Sequence, residues 1–266
     1  MCRMLGIVAS EPTDFRLCLH QGPRNLGLLS REHPDGWGIA VHSKTSEWCV
    51  QKEVACAGDD ARFHEAAAGS RGETLVAHIR KRTVGMVALE NTHPFHRGRW
   101  VFAHNGTIDE MEYLRSKSSP TRLCEVAGST DSELFFAFLL TQIDKAGSDS
   151  NVAAVDAILT ETMRAVGKRS AMGACNFLLS DGRTLYAYRH GRTLFALERR
   201  QGDEARMARE SVETGAVIET PWTLRRHAIL IASEQITDEP WEAVDDGTLL
   251  RVARRPEPEL SVLSKG

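Results

Sequence analysis

Met1-Cys2-Arg3-Met4-Leu5-Gly6-Ile7-Val8-Ala9 is the stretch on which the reading of this chain turns. The run Met4–Ala9 is short, apolar and bounded by polar residues, so it reads as a buried strand. Cys2 stands at its mouth. A small residue in second place usually lets the initiator Met be removed. Cys2 would then carry a thiol and a free α-amine together. An α-amine with an unperturbed pKa of roughly 7.7–8.0 is partly neutral near pH 7 and can take the thiol's proton. The thiolate is the nucleophile. The competing reading is a small apolar residue that begins an edge strand, and on position alone that reading is ahead.

The rest of the chain sets bounds. At 266 residues it is long enough for one large domain or two small ones. No stretch looks like a linker and no repeat is evident, so 1–266 reads as one domain, with a polar, Pro-rich tail after about 255 expected to be loose. With 42% hydrophobic and 26% charged residues the composition is globular rather than disordered. A net charge of −3 gives no electrostatic case for nucleic acid or a membrane surface as partner. The six cysteines, Cys2, Cys18, Cys49, Cys56, Cys124 and Cys175, form no Cys-x-x-Cys pair, so no metal site and no cofactor is expected. There is no secretory signal core and no apolar run of membrane-spanning length. Free thiols in a reducing cytoplasm are the expectation.

Along the chain, Thr13-Asp14 reads as the cap of a short helix through about His20, ended by Gly22-Pro23. His33-Pro34-Asp35-Gly36 is a turn leading into a strand at Trp37–Val41, with Trp48–Val54 as its hairpin partner. A helix is expected at Arg62–Ala68 and a strand at Glu73–Ile79. A further strand at Trp100–Ala103 is expected to close at His104-Asn105-Gly106, with a helix following over Asp109–Arg115. Ser116–Thr121 reads as a polar loop. Ser129-Thr130-Asp131 caps a helix from Ser132 to about Ile143 whose apolar residues cover most of its circumference, which calls for burial on several sides. Gly147–Asn151 is a turn and Val152–Val166 a second helix. Strands follow at Asn176–Leu179, Leu185–Tyr188, Leu194–Leu197, Ala216–Ile218, Ala228–Ser233 and Thr248–Val252. Asp181-Gly182 and His190-Gly191 read as hairpin turns, and Gly202–Glu210 as an exposed loop. Strands, two helices, then strands again are economically buried as two sheets with helices outside.

Three polar clusters fall at strand ends or turns. Arg80 with Thr83 offers a planar fork and a hydroxyl, suited to a carboxylate; a surface Arg beside a solvated loop is the plainer alternative. In His104-Asn105-Gly106 an Asn side-chain N–H and a backbone N–H can aim at one developing charge, although Asn-Gly is also a common tight turn. Asp131 at the start of the long helix could accept from an ammonium group, or could serve only as a cap. Together the three would match an amino-acid head group with an attackable carbonyl further along it. Glutamine and other γ-glutamyl amides fit that description.

The chain resembles the class II glutamine amidotransferase domain, a member of the Ntn-hydrolase superfamily, and more narrowly the stand-alone YafJ-type branch. The resemblance rests on Met1–Gly6, Asp35-Gly36-Trp37-Gly38-Ile39-Ala40, His78-Ile79-Arg80, Asn91-Thr92-His93-Pro94-Phe95, His104-Asn105-Gly106-Thr107-Ile108, Ser129-Thr130-Asp131-Ser132-Glu133 and Ala232-Ser233-Glu234-Gln235-Ile236-Thr237 with Trp241. It implies an α+β fold, a four-layer αββα sandwich of two antiparallel sheets. It implies Cys2 as nucleophile, Asn105 and Gly106 as oxyanion hole, Arg80 with Thr83 on the substrate α-carboxylate, and Asp131 on the α-amine. His93 and His104 are assigned to shaping the loop and the strand end. The chain departs from the fused amidotransferases at Lys81, where they commonly have an aromatic, and at Val84, where they often have His. The implied reaction is cleavage of glutamine or another γ-glutamyl amide through a thioester, with release of glutamate. A synthase using the ammonia would be a partner chain. The rival from another class is a non-catalytic γ-glutamyl-binding or regulatory subunit of a synthase. An Ntn acylase for a different amide is disfavoured by the pairing of Arg80 with Asp131.

Overall fold

Side chains along the first strand face two different cores. Leu5, Ile7 and Ala9 belong to one cluster of buried residues, Met4 and Val8 to another. A strand buried on both faces needs a layer on each. The computed structural model describes residues 2–22, 24–43, 47–147, 151–200 and 226–266, and these supply the layers.

In chain order the strands are β1 (Arg3–Asp14), β2 (Trp37–His42), β3 (Cys49–Glu53), β4 (Arg71–Ile79), β5 (Phe95–Arg97), β6 (Trp100–Ile108), β7 (Gly173–Ser180), β8 (Thr184–Tyr188), β9 (Phe195–Arg199), β10 (Ala228–Ala232), β11 (Glu242–Ala243), β12 (Leu249–Ala253) and β13 (Glu259–Ser264). The α-helices are α1 (Leu26–Leu29), α2 (Ala61–Gly69), α3 (Met111–Lys117), α4 (Pro120–Cys124), α5 (Asp131–Asp144) and α6 (Val152–Gly167). One sheet has the order β11-β9-β10-β1-β4-β2-β3, the other β13-β12-β8-β7-β6-β5. Every pairing is antiparallel.

Three cores account for the layering. Leu5, Ile7, Ile39 and Leu75 pack with Phe63 and Ala66 of α2 outside the first sheet. Met4, Val8, Val76 and Ile231 of the first sheet meet Val101, Ala103, Leu178 and Val252 of the second. Phe102, Phe177 and Tyr188 on the outer side of the second sheet pack under Phe135 and Leu139 of α5 and Leu159 and Met163 of α6. The result is the expected αββα sandwich. The sheets approach closely: a Cβ on Gly6 would lie 2.8 Å from Leu185 Cδ2.

Thr130 caps α5, its Oγ1 accepting from Glu133 N at 3.3 Å, which leaves Asp131 free of the capping role. Nearly all of α5 is buried, because α3, α4, α6 and β6 surround it.

Several expectations are corrected. Thr13 and Asp14 end β1 rather than cap a helix to His20; only a single π-helical turn, Leu17–Gln21, follows. His104-Asn105-Gly106 does not close its strand: β6 runs on to Ile108, held by register with β7 (Asn105 opposite Asn176, Gly106 opposite Cys175). His190-Gly191 is not a hairpin turn, since β8 pairs with β7 and β12 while β9 pairs with β10 and β11; the segment crosses between sheets. The polar loop at 116–121 contains the start of α4, capped by Ser119. The tail is not loose. Residues 259–264 pair with β12 as an edge strand, with a register shift at Leu249/Leu250, and Leu260 and Leu263 pack on opposite faces. The loop expected at 202–210, the strand at 216–218 and the middle of the turn at 147–151 lie outside the described residues.

Candidate active site

The facing surfaces of the two sheets are apolar in the middle and polar at one end, and period-two alternation identifies that end. Val76 faces the other sheet, so His78 and, just past the strand, Arg80 follow on that side of β4. Met4 and Val8 set the same parity for Cys2. Val101 and Ala103 set it for Asn105 on β6. Register aligns them, with Met4 opposite His78 and Arg3 opposite Ile79, which places Cys2 beside Arg80. The His78 Nε2 lies 3.2 Å from the His104 carbonyl and joins the two sheets at this level. A carbonyl only accepts, so Nε2 carries the proton. Burial holds His78 down to about 3, so the ring is neutral.

The Cys2 Sγ rests on one backbone residue. It is 3.3 Å from the Lys81 N–H, from which it accepts, and 3.3 Å from the Lys81 carbonyl, to which the thiol donates. Burial pushes the thiol up from its ordinary range. The Lys81 hydrogen bond and the Arg80 charge oppose that push, and the Asp131 charge adds to it. Arg80 and Asp131 are therefore each within electrostatic reach of Cys2. At neutral pH the resting thiol keeps its proton.

Arg80 is almost wholly buried. Its Nη2 donates to the carbonyls of Val84 at 3.2 Å and Met86 at 3.1 Å. Its Nη1 is buried with no hydrogen-bond partner, and no carboxylate is ion-paired with it among the described residues. Burial lowers its pKa, with the charges of Cys2 and Asp35 acting the other way. Thr83 lies exposed in the loop that Arg80 holds; the guanidinium bonds are to Val84 and Met86 instead.

Asp131 is buried at the α5 N-terminus. Its Oδ2 accepts from Ile108 N at 2.7 Å and its Oδ1 from Ser132 N at 2.9 Å. It is thus fixed to the end of the strand that bears Asn105 and Gly106. At Gly106 a Cβ would fall 1.8 Å from the Ala174 carbonyl oxygen of β7, so only glycine allows this backbone path. His104 points to the helix side, its Nδ1 2.8 Å from Ser132 Oγ, and shapes the junction of β6 with α5. His93 packs against His78, the rings tilted by 33° with centroids 4.3 Å apart.

Sequence reasoning brought Cys2, Arg80, Asn105, Gly106 and Asp131 to one end of the sandwich. It gave no role to the Lys81 backbone, to His78 or to Asp35, whose carboxylate accepts from Arg82 N at 2.8 Å. A backbone contact leaves no mark on residue identity, whereas the parity of His78 with Val76 was there to be read. Among the described residues no group of three or more His, Cys, Asp or Glu side chains is disposed to hold a metal, and no helix is long and apolar enough to cross a membrane.

Comparison with known proteins agrees with this geometry. The family model described as glutamine amidotransferases class-II matches residues 1–263. The putative glutamine amidotransferase YafJ of Escherichia coli is 30% identical, covering 93% of this chain and 95% of its own. The γ-glutamyl-hercynylcysteine sulfoxide hydrolase of Mycobacterium tuberculosis is 28% identical over 76% of this chain and 82% of its own. A predicted glutamine amidotransferase from Pseudomonas aeruginosa superposes with a TM-score of 0.67 at 26% identity, covering 99% of this chain and all of that one. The glutamine phosphoribosylpyrophosphate amidotransferase of Bacillus subtilis, at 17% identity and TM-score 0.62, covers all of this chain with half of its own and supports the fold alone. A family model matched over nearly the full length, on two facing sheets with these motifs at one end, establishes that the chain belongs to the class II glutamine amidotransferases, with an Ntn-hydrolase fold.

Proposed function

We propose that the chain hydrolyses a γ-glutamyl amide through a thioester on Cys2. The observation that carries this reading is Arg80. A buried guanidinium with an empty Nη1, beside a thiol, is a costly arrangement unless an anion completes it. A substrate α-carboxylate is that anion, and Asp131 receives the α-amine next to it.

The γ-carbonyl then reaches Cys2. The α-amine of Cys2, freed by removal of Met1, takes the thiol proton as sulfur bonds to the carbonyl carbon. The oxyanion is held by the Asn105 side chain and the Gly106 N–H. Collapse breaks the C–N bond, and the protonated amine returns its proton to the leaving nitrogen. Water adds to the thioester, the same amine accepts its proton, and glutamate departs as the thiol re-forms. The raised thiol pKa fits this order, because proton transfer is coupled to attack rather than completed beforehand. The hydrolase relative favours water as acceptor over an ammonia-using partner. None of the six cysteines is in a disulfide, which suits a reducing cytoplasm.

The test uses protein whose first residue is established as Cys2 by amino-terminal sequencing. Glutamine and a panel of γ-glutamyl compounds are supplied, and glutamate release is followed. Cys2→Ala should abolish release and leave the thermal transition in place. Release that survives this substitution ends the proposal, as does activity in a chain that still begins with Met1.

A further inference from the structure

The contact on which Cys2 depends is made by a backbone, and something must hold that backbone still. Lys81 lies in no regular element and its side chain is exposed. Its neighbours on either side are both tied to one place. Arg80 N donates to Gly36 O at 2.7 Å, and Asp35 N donates to Arg80 O at 3.1 Å. Beyond Lys81, Arg82 N donates to Asp35 Oδ2 at 2.8 Å. Asp35 therefore brackets Lys81, with its main chain bonded to residue 80 and its side chain to residue 82. The bracketed residue presents both its N–H and its C=O to Cys2 Sγ, each at 3.3 Å. A thiol can donate to the carbonyl, and a thiolate can accept from the N–H. One backbone residue thus serves both protonation states of the nucleophile, provided it keeps its orientation. The positive φ of Gly36, +144°, sets the turn that brings Asp35 to this position.

We infer that Asp35 is a positioning residue for the nucleophile: its carboxylate, through Arg82 N–H, fixes the Lys81 peptide against Cys2 and so sets the reactivity of the thiol. The inference rests on Cys2 as nucleophile but not on the identity of the substrate. Its basis is a hydrogen bond accepted by an oxygen, so an amide oxygen in the same place should serve as well as a carboxylate.

The experiment is alkylation by iodoacetamide at fixed pH, followed thiol by thiol through peptide mass spectrometry, on the full chain beginning at Cys2. The other cysteines are internal gauges. Cys124 is exposed and reports reagent activity, whereas Cys175 is buried and reports opening of the fold. Asp35→Ala should slow Cys2 alkylation about tenfold, the order expected for one lost hydrogen bond in the reacting state. Cys124 should be unchanged and Cys175 unreactive. Asp35→Asn should restore the Cys2 rate to within about twofold of the original. Equal Cys2 rates in Asp35→Ala and the parent overturn the inference, as does Asp35→Asn behaving like Asp35→Ala. Should Asp35→Ala expose Cys175, Asp35→Glu decides: it keeps the charge but displaces the oxygen by one methylene, and an unslowed Cys2 then refutes the bracket. Glutamate release measured alongside should fall in kcat with KM nearly constant. A parent chain that releases no glutamate refutes the hydrolase reading, and the alkylation rates still decide the role of Asp35.

Discussion

Arg80→Lys tests the heart of the substrate reading, and the structure supplies its size. Nη2 is committed to the carbonyls of Val84 and Met86, and Nη1 is buried and empty. A carboxylate binding there gains a charge-assisted hydrogen bond from Nη1 while the other arm continues to hold the loop. Lysine keeps the charge but has one nitrogen, which cannot hold the loop and the carboxylate in the same planar fork. The loss is one charge-assisted hydrogen bond, about 1.5–3 kcal/mol, or roughly a 10–100-fold rise in KM. The head group is held equally in ground and transition states, so kcat should move by no more than about threefold. Steady-state glutamate release on the best substrate of the panel measures both constants. A second substrate sharpens the result. 4-Aminobutanamide is glutamine without its α-carboxylate, so it should be a poor substrate whose turnover is indifferent to Arg80→Lys. An unchanged KM for the glutamyl substrate, or an equal loss with both substrates, removes Arg80 from the carboxylate site.

Two further predictions concern stability. Glu133 is buried and accepts from Arg97 Nη2 at 2.6 Å, Ala127 N at 3.1 Å and Gly128 N at 2.6 Å, so Glu133→Ala should cost about 3 kcal/mol in chemical denaturation, and a loss below about 1 kcal/mol would refute this account of the α5 N-terminus. The histidines at 33, 42, 78, 93 and 104 are all held down by burial, His33 to about 4 and His78 to about 3. Below about pH 6.5 the unfolded chain takes up protons that the folded chain refuses, so stability is full above that pH and falls with acid, by up to about 1.4 kcal/mol per pH unit for His33 and for His78 until each one's folded value is reached, with the other three acting in the same direction. A denaturation midpoint that stays flat from pH 7 to 5 contradicts this arrangement.

What the sequence made legible was what side-chain chemistry and periodicity encode. The burial of Met4–Ala9 and the cap before α5 follow from residue type, whereas the convergence of the polar clusters rested on the family resemblance. What escaped was decided by tertiary pairing. Asn105-Gly106 has turn chemistry, yet β7 lies alongside, and the ladder from Val101 to Ile108 outweighs the local preference. His190-Gly191 looks like a hairpin because hairpins and sheet crossings use the same residues; only the partners of β8 and β9 distinguish them. The last strand was missed because Pro256 and Pro258 suggest disorder, while β12 offers an open edge that residues 259–264 can cover. Thr83, paired with Arg80 by proximity in sequence, is exposed, and the guanidinium bonds are to the carbonyls of Val84 and Met86.

The site also explains why this chemistry sits between two sheets. Cys2 and Arg80 extend from β1 and β4, whereas Asn105, Gly106 and Asp131 belong to β6 and α5. Neither sheet alone holds a working set, so the spacing between sheets is part of the site. Apolar packing of Met4 and Val76 against Val101 and Leu178 sets that spacing in the core, but packing is non-directional. The His78 hydrogen bond to the His104 carbonyl adds direction at the level of the reacting atoms. Full burial keeps the ring neutral, and the carbonyl acceptor then places its one proton on Nε2. Gly106 completes the argument from the other side. With a Cβ excluded by the Ala174 carbonyl, β6 can run close against β7 and place its N–H at a fixed depth. The polar groups lost to packing at this end of the sandwich are thus the ones that, in the proposed reaction, fix where charge is met.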